Sequence, residues 1–290
     1  MSKRTRSEEL KALNSVVAAA VKNFKPPEDL TVTEWAEKYR RLSPENSAEA
    51  GPWRTSRTPY LREIMDAFTD PKIRRLVVVA SSQVGKSEME LNMLGYLIDI
   101  DPGPVLFILP TVDVAQDFSK RRISAMIRDC KRLRGKVADA KSRDGNNTVL
   151  KKQFPGGMLT ITGANSPAAL ASIPARYVFG DERDRWPLSA GAEGDPWGLA
   201  EARTTTFYNS KMVEVSTPTI KGASAIEASF ELGTRERWCH QCPGCGEFHN
   251  IVFNDIKFDF ETNKINGTKV YKVKSVWWQC PSCGYTATES

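Results

Sequence analysis

The sequence predicts an α/β fold, a mostly parallel sheet with helices on both faces, followed by a small module of β-hairpins. Three observations carry that reading. Continuous apolar runs at 76–80 and 105–109 alternate with helical stripes, the pattern of strands buried on both faces. Five of the six cysteines crowd the last fifth of the chain. Between Trp238 and Tyr285 the helical periodicity gives way to period-two segments such as 251–253 and 270–273.

The elements follow in order. Leu10, Leu13, Val17, Val21 and Phe24 recur at spacings of 3, 4, 4 and 3 and predict a helix over 8–24. Thr31-Val32-Thr33-Glu34 is a capping box opening a second helix that buries Trp35, Tyr39 and Leu42. Residues 43–57, rich in Pro, Gly, Ser and Thr, read as an irregular crossing. Thr58-Pro59 reads as an N-cap with Pro at the first helical position, and its helix buries Leu61, Ile64, Met65 and Phe68. A strand is expected at 75–80, a helix at 86–98, a buried strand at 105–109 and a long helix at 113–133. Shorter strands follow at 158–162, 177–179 and 212–215, and a boundary falls near 231–237. The chain thus divides into a helical segment (1–52), an α/β domain (53–235) and a cysteine module (236–290).

Composition limits the chemistry. A chain of 290 residues has room for about two domains, and 41 Lys and Arg against 35 Asp and Glu leave it at +6. No apolar run approaches the roughly 18 residues that span a membrane, and residues 1–9 lack the apolar stretch of a secretory signal. A soluble intracellular protein is expected, with no membrane partner. The two histidines, His240 and His249, exclude a Ser-His-Asp triad or a His-rich metal centre from the first 239 residues. Clustered cysteines in an intracellular chain point to metal rather than disulfides.

The first strand runs into Ala80-Ser81-Ser82-Gln83-Val84-Gly85-Lys86-Ser87 and then into a helix. That is the context of a phosphate-binding loop, where successive backbone N–H groups and a helix N-terminus cradle an anion. Gly85 permits the tight turn, Lys86 reaches the β- and γ-phosphates, and the Ser87 hydroxyl can ligate Mg²⁺. The first glycine of the usual pattern is replaced by Ala80. Downstream, a short apolar strand over 177–179 ends in Gly180-Asp181-Glu182. Phosphoryl transfer to water needs one acid to hold Mg²⁺ and another group to activate the water, roles that fit Asp181 and Glu182. A third strand ends in Ser216-Thr217-Pro218-Thr219, where a polar tip can report the state of the γ-phosphate.

Cys242-x2-Cys245 and Cys280-x2-Cys283 are both written Cys-Pro-x-Cys-Gly and stand 34 residues apart. Four thiolates close a tetrahedral shell around Zn²⁺ with no open position, so a structural zinc is expected. Cys239 repeats the spacing with Cys242 and His240 is adjacent, so the ligand set is open; the repeated motif favours Cys242, Cys245, Cys280 and Cys283. The basic residues Lys120, Arg121 and Arg122, with 128–136, are candidates to face nucleic-acid phosphates, although a solvated helix face explains them too.

Together these stretches resemble the large subunit of tailed-phage terminases, in the lambda-like (GpA-type) branch. The resemblance rests on Thr58-Pro59-Tyr60, residues 80–87, Leu109-Pro110-Thr111, Ala115-Gln116-Asp117-Phe118, residues 162–170, Gly180-Asp181-Glu182, Ser216-Thr217-Pro218-Thr219 and Cys242-Pro243-Gly244-Cys245-Gly246. It implies a P-loop NTPase of the ASCE type with a zinc ribbon, acting as an ATP-hydrolysing motor that drives duplex DNA into a capsid. It also implies nucleotide binding by Lys86 and Ser87, Mg²⁺ at Asp181, water activation by Glu182 and coupling through Ser216 and Thr217. Tyr60 becomes a candidate for the adenine, with Trp53 as a second. Ser82 stands where some relatives place an arginine in the loop, so an arginine acting from a neighbouring subunit is expected, with Arg121, Arg122 and Arg185 as candidates. The implied partners are double-stranded DNA, the viral portal protein, the small terminase subunit and other copies in a ring, in the cytoplasm of an infected cell. No room for the family's metal-dependent nuclease follows the second cysteine pair, and nuclease activity is not expected of this chain. A helicase-like P-loop ATPase, or a zinc-ribbon DNA-binding protein with a non-hydrolytic nucleotide site, would share parts of the pattern.

Overall fold

The structure is a computed structural model that describes Leu10, Leu13, Asn14 and Val17 and residues 28–137, 147–265 and 268–288. It divides into two compact units, Met1–Gly233 and Thr234–Ser290. No helix among the described residues is long and apolar enough to cross a membrane.

The first unit is built on a six-stranded sheet. Its strands are β1 (Arg75–Val79), β2 (Pro104–Leu109), β3 (Lys151–Phe154), β4 (Gly157–Gly163), β5 (Tyr177–Gly180) and β6 (Lys211–Ser216). They lie in the order β1-β6-β5-β2-β4-β3. Every pair is parallel except β3 with β4, which forms an antiparallel edge. β2 and β5 are buried almost throughout, which is why they read as unbroken apolar runs rather than alternating ones. β3 (Lys-Lys-Gln-Phe) escapes the sequence pattern: Lys152 occupies a buried position there, its ammonium donating to the Thr148 carbonyl at 3.0 Å.

The helices are α1 (Val32–Tyr39), α2 (Arg62–Thr69), α3 (Lys86–Asp99), α4 (Val112–Phe118), α5 (Ser124–Asp129), α6 (Lys131–Arg134), α7 (Pro167–Ser172), α8 (Pro196–Ala202) and α9 (Ala225–Glu231). The capping box at α1 is complete: the Thr31 hydroxyl accepts from the Glu34 N–H, and the Glu34 carboxylate accepts from the Thr31 N–H. Trp35 is fully buried, its indole N–H donates to Asp99 at 2.9 Å, and its ring lies against Gly95 of α3. Trp35 and Trp53 belong to one core cluster with the sheet residues Phe107 and Phe179, so residues before position 53 share the core of the α/β domain.

Three expectations are corrected. Thr58 makes no side-chain cap; Pro59–Leu61 is a single 3₁₀ turn and the α-helix starts at Arg62. The long helix over 113–133 is broken twice, by a π turn at Ser119–Ile123 and by Cys130, whose extended backbone (φ −90°, ψ 109°) separates α5 from α6. There the Cys130 thiol donates to the Tyr39 carbonyl at 3.2 Å, a tertiary bond that periodicity does not register. The third concerns 251–253: Phe253–Asp255 is a 3₁₀ turn, and the strand begins after it. In the predicted helix over 8–24, Leu10, Leu13 and Val17 have helical backbone and are at least half exposed, while Val21 and Phe24 lie outside the described residues.

The second unit pairs β7 (His240–Gln241) with β8 (Phe248–His249) and builds a three-stranded antiparallel sheet from β9 (Ile256–Ile265), β10 (Thr268–Gln279) and β11 (Thr286–Thr288).

Candidate active site and metal centre

In the sheet order, β6 stands between β1 and β5, so the ends of these three parallel strands share one edge. The C-terminal edge of an open parallel sheet is where α/β folds bind ligands. The loop 80–87 leaves β1, Asp181 and Glu182 follow β5, and Ser216 and Thr217 end β6.

The loop has the backbone that its sequence requires. Gly85 caps α3 at φ +83°, a left-handed backbone that favours glycine, and a Cβ there would sit a tight 3.2 Å from Leu61 Cδ1. Gln83 also takes positive φ. Ser81, Ser82 and Gln83 are exposed, while Lys86 is buried on the first turn of α3. Its ammonium donates to the Ala80 carbonyl at 3.2 Å, the Ser81 carbonyl at 2.7 Å and Thr217 Oγ1 at 2.6 Å. All three ammonium donors thus have acceptors, and one belongs to β6. Tyr60 donates to the Val84 carbonyl at 3.2 Å and so touches the loop. Trp53 is 6% exposed, with its indole N–H held by Thr55 at 3.0 Å, and it belongs to the core cluster.

Asp181 is 4% exposed, and no described group hydrogen-bonds its Oδ1. Burial, reinforced by the neighbouring Glu182 charge, raises its pKa to about 6. Glu182 sits at φ +50°, a sparsely populated conformation for a non-glycine residue, and lies 3.2 Å from Arg185. Asp184, two residues on, ties the carboxylate turn to the end of β6: it accepts from Thr219 N and Oγ1 at 3.0 and 3.1 Å and from Ile226 N at 2.8 Å, while its own N–H donates to Ser216 Oγ.

Two site features escape the sequence reading. Glu90 stands one turn beyond Lys86, on the same helix face, fully buried with both carboxylate oxygens lacking hydrogen bonds among the described residues. Burial, then the charges of Asp181 and Glu182, hold it well above the usual carboxylate range. Its signal was a glutamate at i+4 from Lys86 within an otherwise buried helix. Asp184 was legible only as part of a charged turn.

The cysteine motifs converge. Cys242, Cys245, Cys280 and Cys283 place their sulfurs within 4.8 Å of one another. Cys242 to Cys283 is 3.7 Å and Cys245 to Cys280 is 3.8 Å. Those separations rule out disulfides and match the edge of a tetrahedron with ~2.3 Å metal–sulfur bonds, about 3.8 Å. Each motif closes through a positive-φ glycine, whose N–H (Gly246, Gly284) donates to the carbonyl of the first cysteine. Desolvation pushes the Cys242 thiol up, but the N–H groups of Cys245 and Gly244 outweigh it and bring the thiol to about 7. Cys239 and His240 stand outside this group: Cys239 is exposed, and the His240 ring packs edge-on against Trp278 at 4.4 Å. His249 approaches the edge of the cluster, its Nε2 3.5 Å from Cys280 Sγ.

Comparison with known proteins agrees with these features. A sequence profile of the family "phage terminase large subunit gpA, ATPase domain" matches residues 47–290. The chain is 28% identical over 256 residues to the terminase large subunit of Escherichia phage lambda, covering 88% of this chain and 40% of that protein. It is likewise 28% identical over 290 residues to the terminase large subunit of Enterobacteria phage P21, covering 98% of this chain and 44% of the relative. The chain therefore spans less than half the length of these two relatives. Among solved structures it is similar to the large terminase ATPase domain of Thermus phage P74-26 (TM-score 0.41, 18% identity, 64% of this chain and 75% of that one). A mutant of the same domain gives a TM-score of 0.43 at 21% identity, covering 66% and 76%. The family match across 47–290 makes this chain a member of the gpA family of phage terminase large subunits, covering its ATPase domain.

Proposed function

We propose that the chain is the ATP-hydrolysing motor portion of a viral DNA-packaging machine, converting hydrolysis into movement of duplex DNA into a capsid. The observation that supports this best is the Lys86 ammonium, shared between the loop carbonyls and Thr217 at the end of β6. A γ-phosphate in the loop competes for the same ammonium protons. Binding nucleotide then loosens Lys86 from Thr217, and losing phosphate restores the bond, so the tip of β6 senses the nucleotide.

Asp181 and Ser87 fit a Mg²⁺ site: a buried carboxylate oxygen without a protein partner suits a metal-bound water, and the hydroxyl follows Lys86 directly. When bound, the ion neutralises charge on the β- and γ-phosphates. Glu182, in the left-handed turn that follows β5, orients and deprotonates the attacking water. Tyr60, held to the loop through Val84, packs beside the base. Asp184 carries movement of the carboxylate turn to Thr219 and α9. The four cysteines hold a structural zinc that closes the second unit, leaving no position for chemistry.

The partners follow from this role: double-stranded DNA as substrate, the portal and small terminase subunit as docking partners, and further copies in a ring, in the cytoplasm of an infected cell. The test is ATP turnover with and without linear duplex DNA, with strand separation assayed alongside. DNA-stimulated hydrolysis without unwinding is expected; unwinding would favour a helicase, and DNA-independent inactivity a non-hydrolytic role.

A further inference from the structure

The loop holds one cation, Lys86, and its exposed residues Ser81, Ser82 and Gln83 are uncharged. A γ-phosphoryl group that spreads negative charge over three oxygens as it transfers usually meets an arginine besides the lysine. Of the three arginines singled out in the sequence, Arg121 is 74% exposed and paired with Asp117 at 2.7 Å. Arg185 is 67% exposed and paired with Glu182 at 3.2 Å.

Arg122 differs from both. It lies in the π turn Ser119–Ile123 that interrupts the α4–α5 helix, and such turns recur at functional sites because they re-aim side chains. With Ser87, Asn46, Phe118 and Arg121 it lines a cavity of about 330 Å³ that meets the loop at Ser87. Its Nη2 is 3.1 Å from Oε1 of Glu88, the residue after Ser87. The other Glu88 oxygen is taken by Arg40 at 2.7 Å, a guanidinium that is itself buried. Glu88 is therefore a rigid post that fixes Arg122 against the start of α3. The Arg122 Nε is buried with no hydrogen-bond acceptor among the described residues, a donor left over once the pair with Glu88 is made.

We propose that Arg122 is a catalytic residue supplied in cis, its guanidinium meeting the γ-phosphate from the cavity beside Ser87 while Glu88 holds it in place. This rests on the reading of 80–87 as the ATP site. In the step it assists, the water oxygen bonds to the γ-phosphorus and the bond from that phosphorus to the β–γ bridging oxygen breaks. The bridging oxygen leaves on ADP with the electron pair, and Glu182 takes the water proton. Arg122 faces the equatorial oxygens throughout.

The experiment measures binding of a fluorescent ATP analogue and steady-state ATP turnover for K86A, R122A and R122K, then mixes R122A with E182Q. Loss of analogue binding in K86A upholds the parent reading; full binding and turnover in K86A would overturn it, and this proposal with it. R122A is expected to bind the analogue within about threefold of wild type and to lose at least about 100-fold in kcat, since arginines of this kind are worth ~10³-fold or more. R122K, which keeps a cation opposite Glu88 and guards against misfolding, should show a similar kcat loss because a point charge lacks the planar fork. The R122A and E182Q mixture should stay inactive, because each defect lies within its own subunit. Turnover of R122A or R122K within threefold of wild type, or recovery on mixing, would overturn the proposal; recovery would assign the arginine to a neighbouring subunit.

Discussion

The Lys86 ammonium lies 2.6 Å from Thr217 Oγ1, joining the first turn of α3 to the end of the strand beside β1. The contact adds a side-chain link to the backbone bond by which the Ala80 N–H already donates to the Ser216 carbonyl at 3.2 Å, and it involves the one ammonium that a phosphate in the loop would claim. A charge-assisted hydrogen bond is worth about 1.5–3 kcal/mol, enough to bias a local two-state equilibrium. T217V removes this acceptor without touching the lysine. ATP affinity should rise, by up to roughly tenfold if about 1.4 kcal/mol of competition is lost, while stimulation of turnover by DNA falls. Titration of a fluorescent ATP analogue checks the first part; weaker binding in T217V would show that Thr217 supports the phosphate site rather than competing with it.

Stability should depend on pH through Asp181. Its folded pKa of about 6 lies above the ordinary 3.8, so folding favours the protonated acid. The stability associated with that protonation is fully present below about pH 4 and is lost as pH rises through about 6. D181N, which stays neutral, should melt higher than wild type at pH 7.5 in nucleotide-free, metal-free buffer, by about 1–3 kcal/mol, and the advantage should vanish near pH 4. Equal melting curves at both pH values would mean the carboxyl is better solvated than its burial indicates.

Zinc should be a folding element of the Thr234–Ser290 unit. A 57-residue unit whose buried apolar cluster holds Cys242, Trp278 and Cys280 has little core besides the metal. One equivalent of zinc per chain is expected by elemental analysis, and a strong chelator, or C280S, should remove it and change the emission of the buried Trp278. Retention of near-native fluorescence with no metal bound would contradict a structural zinc.

The contact of Gly95 with Trp35 makes a stability prediction far from the site. A Cβ on Gly95 would lie 2.3 Å from the Trp35 ring, and that ring is locked by its bond to Asp99. G95A should therefore destabilise by about 1–3 kcal/mol despite the better helix propensity of alanine, because overpacking outweighs it. Thermal or urea unfolding measures this; a stabilised G95A would show that the helix relaxes instead.

Much of this architecture was legible in the sequence because the relevant forces are local or periodic. Buried strands such as β2 and β5 announce themselves by continuous apolar residues, and the loop, the carboxylate pair and the cysteine motifs each carry their chemistry in adjacent positions. The residues that escaped owe their places to burial or tertiary contact, which neighbouring positions do not encode. β3 is an edge strand whose Lys152 looks exposed by type. The break at Cys130 depends on the Tyr39 carbonyl, 91 positions away in sequence. Glu90 reads as one more charge on a helix, and only the packing of α3 shows it wholly enclosed. Trp53, a second candidate for the adenine after Tyr60, lies in the core cluster.

The central claim is that Glu182 activates water at a nucleotide held by the loop 80–87. Pairing nucleotide binding with steady-state ATP hydrolysis for E182Q tests it most directly, because the amide keeps the shape and removes the base. Affinity for ATP within a few-fold of wild type, with turnover reduced by at least about 100-fold, is the predicted result. Undiminished hydrolysis by E182Q would contradict the account and place the chemistry elsewhere.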